Sequence, residues 1–147
     1  MKKIFLVLFT AFVMLTGCSY SRPAGTVDYV KTSVRYINIV NHLANNVSDL
    51  AAKAASDVKS KAALEKELKE VKSELQKYNE IIPPDRAENI HQKMLKYNQT
   101  IEKDIDAYLN NIKNGKVDPK LFQTPALKQT IQEMTKLRDE IQRLDKY

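Results

Sequence analysis

From Val27 to the C-terminus, apolar residues return every three or four positions, the period that keeps one face of an α-helix apolar. In the first stretch Val27, Val30, Val34, Ile37, Val40, Leu43, Val47, Leu50 and Ala54 share a face, while Asn38, Asn41, Asn45 and Asn46 interleave weak helix formers. A kink or break is expected between Asn45 and Ser60, so residues 27–80 form either one bent helix or two. The next stretch is more regular. Leu64, Leu68, Val71, Leu75 and Tyr78 alternate spacings of four and three, with Lys and Glu between them. Glu65 and Lys69 form an acid-before-base pair one turn apart. This helix has to stop before Ile82-Pro83-Pro84, because proline lacks a donor and disfavours helix in the preceding residue.

Two further helices follow. Asp85-Arg86-Ala87-Glu88 has the form of a capping box, with Asp85 at the N-cap and Glu88 three residues on. Ile90, Met94, Tyr97, Ile101, Ile105, Tyr108 and Ile112 then predict a helix over 85–113, closed by Asn114-Gly115 with Gly115 in the left-handed conformation. Lys116 to Gln123 reads as a loop that tucks Leu121 and Phe122 onto the end of the molecule. Thr124-Pro125 pairs a good N-cap with proline at the first helical position. Leu127, Ile131, Met134, Leu137, Ile141 and Leu144 carry the last helix. The predicted fold is all-α, an antiparallel bundle of three to four long amphipathic helices over residues 27–147.

Ahead of this region the pattern changes. Met1-Lys2-Lys3 is followed by an apolar run from Ile4 to Leu15, relieved only by Thr10, and then by Gly17-Cys18. A charged start, a short apolar stretch and a small-residue cleavage site describe a signal peptide. As a helix the run would span about 20 Å, against about 30 Å for a bilayer core, so it is too short to anchor the chain by itself. Leu15-Thr16-Gly17-Cys18 resembles the lipobox of bacterial lipoprotein signals. The resemblance implies diacylglycerol transfer to the Cys18 thiol, cleavage between Gly17 and Cys18, and further acylation of the new amino terminus, with palmitate-type chains. Residues 1–17 are then the cleaved signal. Residues 18–26 form the lipidated cysteine and a short tether, broken by Pro23 and Gly25, with Thr26 available to cap the first helix.

Composition narrows the function classes. Cys18 is the only cysteine, so a lipidated mature chain has no disulfide and no thiolate metal site. Three glycines and no tryptophan argue against an all-β domain, and after loss of Gly17 too few glycines remain for a phosphate-cradling loop. Loss of Lys2 and Lys3 leaves 22 basic against 18 acidic residues, interleaved rather than clustered. That is the distribution of a solvated surface, and nucleic-acid binding is not expected.

Candidate catalytic groups are few. His42 and His91 lie on different predicted helices, each without a ligand partner one turn on, and both read as surface or rim positions. Glu88-Asn89-Ile90-His91 matches the Glu-x-x-His spacing of di-iron bundles once, but lacks the second copy and the extra core glutamates that chemistry needs. Capping is the simpler role for Glu88. No nucleophile–base pair is evident, so no enzyme activity, metal, cofactor or small-molecule substrate is expected. The Leu64–Tyr78 stripe could pair with a partner helix, though a seam within the chain's own bundle accounts for it.

Several short motifs carry a family resemblance. Val27-Asp28-Tyr29-Val30, Tyr36-Ile37-Asn38, Pro83-Pro84, Ile90-His91-Gln92, Tyr97-Asn98, Tyr108-Leu109 and Phe122-Gln123-Thr124 are similar to those of small uncharacterised Bacillus-type lipoproteins. The resemblance implies a Gram-positive envelope address and a helical fold, and carries over no active site. The expected role is a lipid-anchored interaction or structural module on the outer face of the cell membrane, meeting an envelope protein. The alternative is a partner-binding inhibitor, an immunity or exclusion lipoprotein, or a chaperone-like lipoprotein.

Overall fold

The computed structural model describes residues 24–146, the side chain of Phe122 excepted. Four α-helices account for most of them: α1 (Thr26–Ala54), α2 (Val58–Asn79), α3 (Glu88–Lys113) and α4 (Pro125–Gln142). Three short 3-10 turns, Asp85–Ala87, Pro119–Gln123 and Leu144–Lys146, fill the connections and the end. The expected all-α bundle is present, in its four-helix form. α1 packs against α2 and α4, and α3 packs against the same two, so the helices form a ring in chain order.

The expected break falls at Ala55–Asp57, and its cause is local. Asp57 takes an extended conformation and its carboxylate accepts from the Ser60 N–H at 2.7 Å and the Ser60 hydroxyl at 2.6 Å, capping α2. The asparagines of α1 do not break it; none of Asn38, Asn41, Asn45 and Asn46 is buried, so the apolar stripe beside them stays continuous. α2 ends at Asn79, just short of the prolines. Its stripe of Leu64, Leu68, Val71, Leu75 and Tyr78 is buried inside the chain's own bundle. Each such side chain contributes about 1.5–3 kcal/mol relative to exposure.

At the end of α3, Gly115 has φ 78°. Its N–H donates to the Ile112 carbonyl and the Lys116 N–H to that of Asn111, which is a Schellman closure of the helix. Thr124 caps α4 by accepting from the Leu127 N–H at 3.2 Å, with Pro125 at the first position. Leu121 packs half-buried on the core.

Two expected caps are not formed. Thr26 is already the first residue of α1, and Gly25 holds the cap position without a side-chain bond. The Asp85–Glu88 capping box is replaced by a 3-10 turn whose Ala87 N–H donates to the Pro84 carbonyl. The rigid Pro83-Pro84 pair delivers the chain in an extended conformation at Pro84 and the tighter turn starts the helix, leaving Glu88 free to accept from Gln92 at 2.9 Å.

The antiparallel order gives the bundle two distinct ends. At one, here called the foot, α1 begins, the α2–α3 turn lies and α4 finishes. The Ala24 N–H donates to the Ile82 carbonyl at 2.9 Å, and Arg86 Nη1 donates to the Leu144 carbonyl at 3.3 Å. At the crown, the later turns of α1 meet the 3-10 segment before α4, where Gln123 Nε2 donates to Ser48 Oγ at 3.0 Å.

Candidate functional site

The lipobox residues Leu15, Thr16, Gly17 and Cys18, with the signal and most of the tether, lie outside the described residues. Two features of the described residues carry chemistry: a polar cluster buried near the foot, and a groove on the flank.

The cluster corrects one expectation. His91 is not a surface or rim residue; it is 2 % exposed. On α3 the fully buried positions are His91, Met94, Asn98, Ile101, Ile105, Tyr108 and Ile112, while Ile90 and Tyr97 are only half-buried. The buried set alternates spacings of three and four without interruption. Carrying the Ile112–Ile101 stripe three steps further back passes through Asn98, Met94 and His91, a signal overlooked because Asn98 and His91 are polar. The same holds on α1, where Tyr29, Ser33 and Tyr36 continue the buried stripe and Val27 does not.

Burying polar groups requires partners, and these come from three helices. The Tyr29 hydroxyl lies 3.1 Å from that of Tyr78 and 3.3 Å from His91 Nδ1, and Ser33 Oγ lies 3.0 Å from the Tyr78 hydroxyl. Hydroxyls both donate and accept, so this chain satisfies itself. The rings pack as well: Tyr36 stacks on Tyr78 at 4.6 Å, and His91 meets Tyr29 at 5.7 Å edge-on and Tyr78 at 5.3 Å. One step along, the Tyr36 hydroxyl donates to Asn98 Oδ1 at 2.7 Å, and Asn98 Nδ2 donates to Asn79 Oδ1 at 2.6 Å.

Burial fixes the protonation states. It raises the Tyr29, Tyr36 and Tyr78 hydroxyls above the ordinary phenol value, so all three stay protonated. It lowers His91 below the ordinary imidazole value, partly opposed by the charge of Glu88, so the ring is neutral at pH 7. Glu88 turns to Gln92, and the Glu88–His91 pair is not assembled into a metal site. Among the described residues no group of three or more His, Cys, Asp or Glu is placed to hold a metal ion.

The groove is an open one of about 1540 Å³ that runs along the outside of α1 and α2 to Gln142, Asp145 and Lys146 at the foot. Val30, Val34, Ile39 and Val71 supply apolar surface, and polar contacts from α1 to α2 cross it. Arg35 Nη1 forms an ion pair with Glu74 Oε2 at 2.9 Å, and His42 Nδ1 lies 3.6 Å from Glu67 Oε1. Asn46 Nδ2 lies 3.1 Å from His42 Nε2; an amide nitrogen only donates, so Nε2 accepts and Nδ1 faces Glu67. A hydrogen bond from Lys77 at 2.7 Å, helped by the Arg35 charge, holds the Glu74 carboxyl below its ordinary value. His42 thus sits on the surface as expected, in a wall of alternating charge. No helix among the described residues is long and apolar enough to cross a membrane.

Comparison with known proteins agrees with the resemblance read from the sequence. The model of a family of unknown function (DUF6376) matches residues 29–144. The chain is 29 % identical over 118 residues to the uncharacterized lipoprotein YybP of Bacillus subtilis (strain 168), covering 80 % of each protein. No solved structure matches. The matched region begins at Tyr29, the first residue of the buried polar cluster, and Tyr36, His91 and Asn98 all sit in the short motifs that carried the resemblance.

Proposed function

This chain belongs to the family of unknown function (DUF6376), and on that footing we propose that it is a lipid-anchored, non-catalytic interaction module on the outer face of the cell membrane. Cys18 carries the lipid and the flank groove receives a segment of an envelope protein. The anchor is supported by the lipobox and by similarity to a relative whose name is that of a lipoprotein. The binding role rests on the groove, whose apolar surface and charged rim suit a peptide segment with apolar anchors and flanking charges. The non-catalytic reading is supported by the placement of His91, whose ring is enclosed by Tyr29 and Tyr78 where substrate has no access. A chaperone-like holdase has less support: the exposed large apolar residues among those described are Val27, Val58 and Ile82, which do not make one patch.

A photo-crosslinking residue introduced in intact cells at Asn38, in the groove, tests the reading against one at Asn110, an exposed asparagine on α3. A discrete adduct from Asn38 and none from Asn110 is expected. Equal labelling at both, or none at Asn38, refutes the groove as the binding surface. Membrane fractionation of Cys18→Ala tests the anchor separately: release from the membrane is expected, and unchanged fractionation refutes it.

A further inference from the structure

We infer that the bundle meets the lipid surface end-on through its foot, with Ile82 and Val27 as the residues that touch the headgroup region. The inference rests on the lipid anchor at Cys18 and adds which part of the protein faces the membrane.

The place where the chain leaves the bundle carries the argument. The Ala24 N–H is held by the Ile82 carbonyl, so the tether departs beside the α2–α3 turn. Only residues 19–23 separate Cys18 from that point, and six extended steps reach at most about 20 Å. α2 is 22 residues long, about 33 Å. With the bundle upright, the crown cannot descend to the membrane on such a tether.

The exposed apolar residues point the same way. Ile82, 40 % exposed, lies in the proline-stiffened turn, and Val27, 51 % exposed, is the second residue of α1, where the tether enters it. Val58, 83 % exposed, lies at the crown and serves as an internal control. The flank beside the groove exposes Lys31, Arg35 and Lys66, which favour water. Charge at the foot is mixed, with exposed Lys77, Arg86, Arg143 and Lys146 facing exposed Asp28, Glu80, Asp85, Glu88 and Asp145, so it presents no basic patch. The contact is therefore made by apolar side chains at the headgroup boundary and does not require anionic lipid. Two such residues would not recruit a free protein. A short tether raises the local lipid concentration into the millimolar range, where weak docking becomes populated.

The test uses the full lipidated protein, reconstituted in phosphatidylcholine vesicles with and without phosphatidylglycerol. Because the Cys18 thiol is consumed by lipid, single cysteines at Ile82, Val27, Val58 or Asn38 can each carry an environment-sensitive fluorophore. Ile82→Cys and Val27→Cys should give blue-shifted emission that is quenched by lipids spin-labelled near the headgroup, equally in both vesicle types. Val58→Cys and Asn38→Cys should show neither effect. Strongest quenching at Asn38 means the bundle lies on its flank, and equal emission at Ile82 and Val58 means no fixed face; either overturns the inference. Vesicle flotation separates this from failure of the anchor: protein that floats with vesicles but shows no quenching at Ile82 removes only the end-on contact, and protein that does not float removes both.

Discussion

The buried pair of Tyr36 and Asn98 makes a quantitative prediction about what holds this core together. The Tyr36 hydroxyl donates to Asn98 Oδ1 at 2.7 Å, and both residues are within 1 % of full burial. Burial keeps the phenol protonated, so it remains a donor at any working pH. Tyr36→Phe removes the donor and strands a buried carbonyl. Asn98→Leu, which keeps the branching at Cγ, removes the acceptor and strands a buried hydroxyl. Each single change should cost about 1–3 kcal/mol, chiefly the desolvation of the abandoned partner. Asn79, which also bonds Asn98, is exposed and can turn to water. The double variant leaves no orphan across the Tyr36–Asn98 contact and should cost less than the two single changes together, with a coupling of about 1–2 kcal/mol. Urea unfolding of the four proteins, followed by helical circular dichroism, measures this directly. Additivity within about 0.5 kcal/mol would show that the contact is incidental packing and that the reasoning is wrong.

Two further outcomes follow from the same geometry. His91 binds a proton less readily in the folded state than in the unfolded chain, so the stability it contributes is complete above about pH 6.5 and is lost as pH falls from there toward the folded value. The urea midpoint should therefore drop between pH 7 and 5.5, and His91→Gln should flatten that dependence; parallel pH profiles for the two proteins would contradict it. At Gly115, where φ is +78° and an added Cβ would touch nothing within 4 Å, alanine should cost about 1–2 kcal/mol through backbone strain alone. At Gly25, φ is −60° and the nearest atom to an added Cβ is Asp28 Oδ2 at 3.5 Å, so alanine should be close to neutral. Equal melting temperatures for the two alanine variants would refute the assignment of strain to Gly115.

What could be read from the sequence was whatever depends on near neighbours. The α2 stripe, the stop before Pro83, the Gly115 closure and the Thr124-Pro125 start all follow from residues within a turn or two of each other, and all stand in the structure. The capping box at Asp85 was also a local reading and failed, because the extended Pro84 selects a tighter turn than the box needs. His91 was misjudged, and Asn98 passed over, for another reason. Their burial is stabilised by Tyr29 and Tyr36, each 62 residues away, so polarity alone argued for the surface. The groove was illegible on principle, since it belongs to the spacing between α1 and α2 and not to either helix.

The ring order of the helices has a consequence for how the fold is reached. The α1–α2, α2–α3 and α3–α4 seams each join helices adjacent in the chain and can close as hairpins with little loss of loop entropy. The α1–α4 seam joins the two extremes, as in the bond from Thr135 to Asn41 across 94 residues, and has to wait for the last helix. A chain that threads a membrane N-terminus first would assemble α1 and α2 while the rest is still arriving. Until α4 docks, the side of α1 that it covers stays open, which makes α4 the latch of the bundle.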